Sequence, residues 1–281
     1  MNLKRMIRAV TTAALALAVT VSAVAVAGEA TSNGVTQTFD VTIKPSKKLP
    51  KKVKKKDRPK GVAANIAVGV REATNQKPPP AERVELNLDK DLTINSRGVP
   101  TCGENEITTA NVDAARDICK KSVVGVGSAS ATCSAGAAPD IPDVDVTAFN
   151  GRKQGKNPVI LLHTVADLGG VEQIQILPAV LKKAKGKKFG ILADIAVPPL
   201  AGGACSIVDF QVTLKEKFKS KGKKAKKKFG KRFDYVTATC SDKKFEFDSS
   251  FEYVQPNDYT VASLEPTDEQ GCKAKKGKKK K

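Results

Sequence analysis

Short runs in which apolar and polar residues alternate recur along most of this 281-residue chain. Val, Ile, Thr and Phe fill the runs, and Gly, Pro, Asn and Asp separate them, as is typical of strands that bury one face. The pattern predicts a mainly β protein with a β-sandwich-like fold, either one large sandwich or two small ones. A hydrophobic content of 40% with 28% charged residues excludes a wholly disordered or multi-span membrane protein.

The alternating runs predict about a dozen strands and one short helix. The predicted strands cover residues 36–43, 62–71, 84–88 with 92–95, 122–131, 143–149, 158–166, 171–181, 188–197, 205–215, 232–240, 243–253 and 258–264. Between them, Val112, Ala115 and Ile118 recur at helical spacing, with Asn111 or Thr109 as the candidate N-cap.

Residues 1–27 have the features of a secretory signal peptide. A basic start (Lys4, Arg5, Arg8) precedes an apolar run over residues 10–26, which ends in the small-residue pattern at Ala27. The alternative is a retained membrane anchor, because the run approaches spanning length. The sequence predicts a secreted protein, with a β-rich body at residues 28–272 and a basic tail at 273–281.

The predicted mature chain contains an even number of cysteines, which in an exported protein favours disulfides. They are Cys102, Cys119, Cys133, Cys205, Cys240 and Cys272. The chain has no C-x-x-C pair, so zinc-ribbon and thioredoxin-like sites lack their central motif. Six cysteines allow 15 pairings, and spacing alone does not select one.

Positive charge is concentrated in three lysine-rich segments. Residues 44–60 have ten basic residues and one acidic residue, residues 215–232 have eleven and one, and residues 273–281 have seven basic residues and none acidic. Without residues 1–27 the formal charge is +17, and the three segments together carry +26. The remaining body is therefore mildly acidic, at about −9, and carries basic loops and a basic tail.

These segments predict a partner that is recognised by charge density. Lysine is a hydrated point charge that lacks the planar fork of arginine, so an anionic cell-envelope polymer or a membrane surface fits better than a specific nucleic acid. The candidate polyanion-binding residues are Lys51, Lys52, Lys54, Lys55, Lys56, Lys221, Lys223, Lys224, Lys226, Lys227, Lys228, Lys278, Lys279 and Lys280. The alternative is a structural surface protein whose lysines only keep it soluble.

The sequence offers little for catalysis. His163 is the only histidine and no nucleophile elbow is present, so we interpret it as structural. Asp143 and Asp145 could face one side of a strand and attract Ca²⁺, but solvent-facing strand acids explain them better. We predict a non-catalytic protein with no cofactor and no metal; the alternative is an extracellular hydrolase that uses carboxylates of the acidic body.

Several turn motifs resemble those of a group of secreted, β-rich actinobacterial proteins without an established activity. The motifs are DLTIN at 91–95, GVPTC at 98–102, VTAFNG at 146–151 and PPLAGG at 198–203. The resemblance implies a fold and no mechanism. Cys133 and Cys205 are less usual in that group, which is one reason to pair them with each other. The pairing we favour is then Cys102–Cys119, Cys133–Cys205 and Cys240–Cys272.

Overall fold

The computed structural model describes residues 28–52, 58–74, 76–134, 140–219, 231–254 and 263–274. The strands are β1 (Gly28–Ser32), β2 (Val35–Pro45), β3 (Lys60–Glu72), β4 (Ala81–Asp89), β5 (Leu92–Ile94), β6 (Val123–Cys133), β7 (Ile141–Gln154), β8 (Asn157–Asp167), β9 (Glu172–Lys183), β10 (Phe189–Ala196), β11 (Cys205–Leu214), β12 (Lys217–Lys219), β13 (Arg232–Asp234), β14 (Val236–Ala238), β15 (Lys244–Tyr253), β16 (Ser263–Leu264) and β17 (Thr267–Gly271). The α-helices are α1 (Glu104–Ile107) and α2 (Val112–Ile118).

Fifteen of the strands form one antiparallel sheet, which confirms the prediction of a mainly β protein. Because the sheet is continuous, these strands form one structural unit. Its main path runs β1-β2-β3-β11-β6-β7-β8-β9-β10-β4-β15-β16, and β12 and β13 pair separately. Strands such as β2 and β15 alternate strictly between buried and half-buried residues. Because successive side chains point to opposite faces, this alternation gives each strand one apolar face, and the curved sheet buries those faces as a sandwich.

The sheet closes on itself at a seam between β2 and β17, where side chains replace the usual strand pairing. The backbone N–H of Val41 donates to Asp268 Oδ2 at 2.7 Å, and that of Ile43 donates to Gln270 Oε1 at 2.6 Å. Gln270 Nε2 in turn donates to the carbonyl of Ile43 at 3.0 Å. Both β17 side chains are buried, so they satisfy edge groups that would otherwise lack partners away from water.

The two helices cover the outer face of β7 and β8, so these strands are buried on both faces. A second apolar cluster joins Ile107 and Ala115 of the helices to Phe149, Val159 and Leu161 of the two strands. This explains the continuous apolar run at 159–162, since a strand buried on both sides needs no polar alternation.

The predicted helix is confirmed at α2, and Asn111 is its cap, because its side chain accepts the Ala114 N–H at 2.9 Å. The expectation of one helix is corrected: α1 is a second, four-residue helix, too short to show a period in the sequence. No helix among residues 28–274, where these are described, has the length and apolarity to span a membrane.

Strands β1, β12 and β17 were not predicted, and one connection was misread. Most of the strand predicted at 258–264 lies outside the described residues. The strands predicted at 205–215 and 232–240 flank the segment 215–232, and this order predicts a long hairpin loop between two strands that pair with each other. Instead β11 and β14 both pair with β3, and the segment is rooted in the separate pair of β12 and β13. Strand β17 was missed because its polar side chains Asp268 and Gln270 point inward, which reverses the expected pattern.

The three disulfides have the pairing that we favoured. Cys102–Cys119 links the approach to α1 with the end of α2, and Cys133–Cys205 joins the paired strands β6 and β11. Cys240–Cys272 links the segment after β14 with the segment after β17. Two of the disulfides therefore fasten connecting segments, the third cross-links two neighbouring strands, and none of the six cysteines is free.

Candidate functional site

The strand registers bring the roots of all three lysine-rich segments to one end of the sheet. Strands β2, β4, β7, β9, β11 and β17 finish at this end, and β3, β6, β8, β10 and β15 begin there. The segments 44–60 and 215–232 follow β2 and β11, and the tail follows β17. We call this the lysine end and the opposite one the apolar end.

The first segment and the tail lie side by side at their roots. Leu49 is 1% exposed and forms a parallel bridge with Ala274. The carbonyl of Pro50 accepts the N–H of Cys240 at 2.9 Å, and Cys240 forms the disulfide with Cys272. Burial and a covalent link therefore hold the two starting points together, although more than 200 residues separate them in sequence.

The second segment is rooted by a short hairpin of β12 and β13. Phe218 and Phe233 pack with their ring centroids 5.8 Å apart, and Phe218 also contacts Tyr235, whose side chain is fully buried. Next along the chain, β14 pairs with the start of β3 at Gly61. A Cβ at Gly61 would lie 2.0 Å from the Asp234 carboxyl carbon, so a larger residue there would displace the Asp234 carboxylate.

Two of the predicted polyanion-binding residues fall in the described part of the chain. Lys51 and Lys52 are exposed and follow directly on the anchored Leu49. The other predicted residues lie outside the described residues: Lys54, Lys55, Lys56, Lys221, Lys223, Lys224, Lys226, Lys227, Lys228, Lys278, Lys279 and Lys280. Residues 1–27, interpreted as a signal peptide, also lie outside them.

The sequence analysis missed a fourth basic element at the lysine end. The hairpin between β9 and β10 carries Lys182, Lys183, Lys185, Lys187 and Lys188. Five lysines in seven residues are a visible signal, but the run lies almost wholly between the strands predicted at 171–181 and 188–197, and its charge was counted with the acidic body.

Lysines on the strands and lysines in the turns differ in their partners. Lys244 bridges Glu246 at 3.0 Å and Glu269 at 2.8 Å, and these carboxylates raise its pKa. Lys185 and Lys187 are exposed and have no ion-pair partner among residues 28–274 as far as these are described. Lys244 therefore neutralises acids of the sheet, while Lys185 and Lys187 keep their charge available to a partner.

The apolar end has the opposite character. Its connections, at 33–34, 73–80, 134–140, 168–171, 197–204, 254–262 and 265–266, together carry one lysine against three acidic residues. Arg71 at this end contacts both oxygens of Asp209 at 2.9 Å, and Arg83 contacts Asp194 at 2.9 Å. The connections of the apolar end are therefore nearly uncharged, and these two arginines of that end are paired with acids.

The carboxylates do not form an acid–base pair in the described residues. Burial raises the pKa values of Asp89 and Asp268, but both carboxylates accept backbone N–H groups and serve the fold. Asp145 lies 3.2 Å from Arg116, which supports the interpretation of a paired strand acid over a Ca²⁺ ligand. These contacts do not favour the hydrolase alternative.

His163 holds the helical segment on the sheet. Its Nε2 lies 3.0 Å from the carbonyl oxygen of Ala110, and its ring meets the edge of Phe149. Burial lowers the pKa of His163, so the imidazole is neutral at physiological pH. No carboxylate or nucleophile is paired with it in the described part of the chain, in keeping with a structural role.

One group of side chains has metal-ligand spacing, but its chemistry does not suit a metal. Cys102, Glu106 and Cys119 lie within 4.8 Å of one another. The two sulfurs are joined in a disulfide and therefore offer no thiolate, and Glu106 lies 3.4 Å from Arg152.

Comparisons of the chain with protein-family models, with curated proteins and with solved structures found no match. Fold and site together define a class: a β-rich protein with three disulfides and a strongly basic end. The resemblance to secreted actinobacterial proteins stays a prediction. The disulfides are consistent with an extracellular protein, since such bonds persist in oxidising compartments.

Proposed function

We propose that this protein is secreted and associates, without catalysis, with an anionic polymer of the cell envelope through its lysine end. The observation that carries the proposal is the common root of the three lysine-rich segments at one end of the sheet. Charges that share one end can contact a single polyanion together, and the release of its counterions then favours binding.

The aromatic residues beside the second segment favour a polymer over a lipid bilayer. Phe233 is 6% exposed, and Phe218 packs against it and against Tyr235. These rings pack against one another in the folded body, so they are not available to insert among acyl chains or to stack on nucleic-acid bases. Binding through lysines alone suits a flexible chain of phosphate or carboxylate groups.

The test is retention of the oxidised protein lacking residues 1–27 on immobilised teichoic-type polymer across a salt gradient. A protein that makes six to ten phosphate contacts loses about 10³- to 10⁵-fold in affinity between 50 and 200 mM salt. We expect such a steep loss. Replacing the lysines of 51–60, 219–231 and 273–281 by Ser should abolish retention, and replacing them by Arg, the matched control, should preserve it.

Three further matrices separate the proposal from its alternatives. Retention on anionic liposomes but not on the polymer would identify a membrane surface as the partner. Equal retention on heparin, DNA and the polymer would support charge density as the only requirement. No retention on any matrix near physiological salt would contradict the proposal and leave the lysines a solubilising role.

A further inference from the structure

The sheet encloses unfilled space at the apolar end. A cavity of about 100 Å³ is lined by residues of β3, β4, β8, β9, β10 and β11, so it lies inside the curved sheet. A second cavity of about 40 Å³ adjoins it, and the two share lining residues that include Leu162, Leu177 and Phe210. Pro198 lines both cavities and is exposed, which places their opening at the connection 197–204.

The linings exclude a charged ligand. Among the described residues, no charged side chain lines either cavity. Gln37 lines the larger one, and its Nε2 donates to the carbonyls of Thr38 and Gly69, both at 2.9 Å. Its Oε1 accepts the hydroxyl of Tyr253 at 2.6 Å, so this side chain is satisfied within the fold. A charged group buried here would have no partner, whereas a neutral, mostly apolar molecule suits such a lining.

The smaller cavity differs from the larger one because it contains a hydroxyl group without a partner. Thr164 lines it, and the buried Oγ1 of Thr164 has no hydrogen-bond partner among the described residues. Ser130 also lines it, but Ser130 Oγ lies 3.4 Å from Asp209 Oδ2 and is therefore paired. On the neighbouring strand Gln175 lines the same cavity, and Gln173, two residues away on the same face, has a buried Oε1 that is also unpartnered. A buried polar atom without a partner is unfavourable for the fold, so it marks a place where a ligand group can bind.

The size of the two cavities sets the scale of the ligand. Together they approach the volume of about 150 Å³ at which an engineered apolar cavity binds benzene. A hydrocarbon body of about six carbons therefore fits, and a two-chain lipid is too large.

We propose that the apolar end binds a small neutral amphiphile, a hydrocarbon of about six carbons with one hydroxyl group. The hydrocarbon part lies in the larger cavity, and the hydroxyl group of the ligand meets that of Thr164 in the smaller one. The ligand thereby supplies a hydrogen bond that the fold leaves unmade, in surroundings of low dielectric constant where such a bond is strong. The site lies at the opposite end from the lysine-rich segments and is independent of the proposed function.

Titration calorimetry with the linear alcohols from 1-butanol to 1-octanol tests the hydrocarbon part. Each buried CH₂ raises the affinity about fourfold, so we expect this gain per carbon until the cavities are full, and a plateau beyond it. Leu177→Phe, which adds bulk where the two cavities meet, should abolish binding. Hexanoate, whose carboxylate finds no cation in the linings, should bind at least about tenfold more weakly than 1-hexanol. Absence of saturable alcohol binding, or hexanoate binding as tight as that of 1-hexanol, would overturn the proposal.

Thr164→Val tests the hydroxyl group, because it keeps the shape of the side chain and removes its oxygen. It should weaken the binding of 1-hexanol about fivefold and leave that of 1-chlorohexane, which has no donor, unchanged. The matched control is Thr213→Val, which removes a hydroxyl outside the cavities that donates to Asn65 at 2.8 Å and should leave both affinities unchanged.

Urea unfolding of Thr164→Val without ligand separates a binding role from a structural one. Since the Thr164 hydroxyl has no partner in the described fold, its removal should not lower the urea midpoint. A lower midpoint, unchanged binding of 1-hexanol, or an equal loss for 1-hexanol and 1-chlorohexane would each overturn the proposal.

Discussion

The connections that reverse the chain at the two ends of the sheet differ in their residue composition. At the lysine end the connections are long or strongly basic, as in 44–60, 182–188 and 215–232. At the apolar end they are nearly uncharged, as in 33–34 and 168–171. Since the long strands run from one end to the other, the same sheet carries a basic surface at one end and nearly uncharged connections at the other.

The difference also appears in how each end is fastened. The lysine end is tied by Cys240–Cys272 and by the pairing of Leu49 with Ala274. The apolar end is tied by Cys133–Cys205 across two adjacent strands. The first disulfide joins the segment after β14 to the start of the basic tail. The second joins two paired strands, β6 and β11, at the apolar end. The two disulfides should therefore influence different functions.

Removal of each disulfide is expected to give the largest effects. The loop of 72 residues closed by Cys133–Cys205 predicts a loss of at most about 4.4 kcal/mol, and the loop of 32 residues closed by Cys240–Cys272 at most about 3.7 kcal/mol. Urea unfolding of the paired Cys→Ser variants measures both. Only the second variant should lose retention on the polymer; loss in both would contradict a division of labour between the ends.

The seam should contribute less than the disulfides but affect both ends. Asp268→Ala leaves the buried N–H of Val41 without an acceptor, which costs about 1 to 3 kcal/mol. Glu269→Ala, at an exposed neighbour, should change the free energy of unfolding by less than about 0.5 kcal/mol. If hydrogen exchange in Asp268→Ala showed one end opening while the other stayed protected, the sheet would not be one cooperative unit.

Asp194 of β10 connects two neighbouring strands. Its carboxylate accepts hydrogen bonds from Arg83 of β4, nearer the apolar end, and from Lys182 of β9, nearer the lysine end. The hydrogen bond from Arg83 is the largest cause of the lowered pKa of Asp194. A carboxyl group whose pKa is lower in the folded than in the unfolded protein stabilises the fold when it is ionised. This contribution is complete at pH values above the unfolded pKa, near 4, and is lost as the pH falls from there through the folded pKa. Asp194→Asn should cost about 1 kcal/mol at pH 7, and this cost should shrink as the pH falls below the unfolded pKa and through the folded one. A cost independent of pH in urea unfolding would contradict this cause.

The smallest effect on stability is expected from the turn lysines. Lys185→Ser with Lys187→Ser should change the free energy of unfolding by less than about 0.5 kcal/mol, since both side chains are exposed. On duplex DNA, used as a phosphate polymer of known charge spacing, the salt slope should fall by up to about 1.8. Lys77→Ser, a single-lysine control at the other end, should leave the slope unchanged; a comparable fall there would show that binding is not confined to the lysine end.

Sequence patterns located most of the strands because a strand with one buried face must alternate. The run 244–253 is an example, with every second residue buried. The same reasoning failed for β17, where Asp268 and Gln270 face inward to cap the edge of β2. It also failed to assign the lysines of 182–188 to the site, because the neighbours of a turn depend on where other strands end.

The sequence by itself determined the local structure, the number of cysteines and the segregation of charge along the chain. These depend on side-chain period, turn chemistry and residue counts, all of which are local. Only the tertiary structure decided that the basic segments share one end and that Leu49 and Ala274 lie side by side at their roots. Both facts follow from strand order and register, and these are set by which apolar faces pack together across the whole sheet.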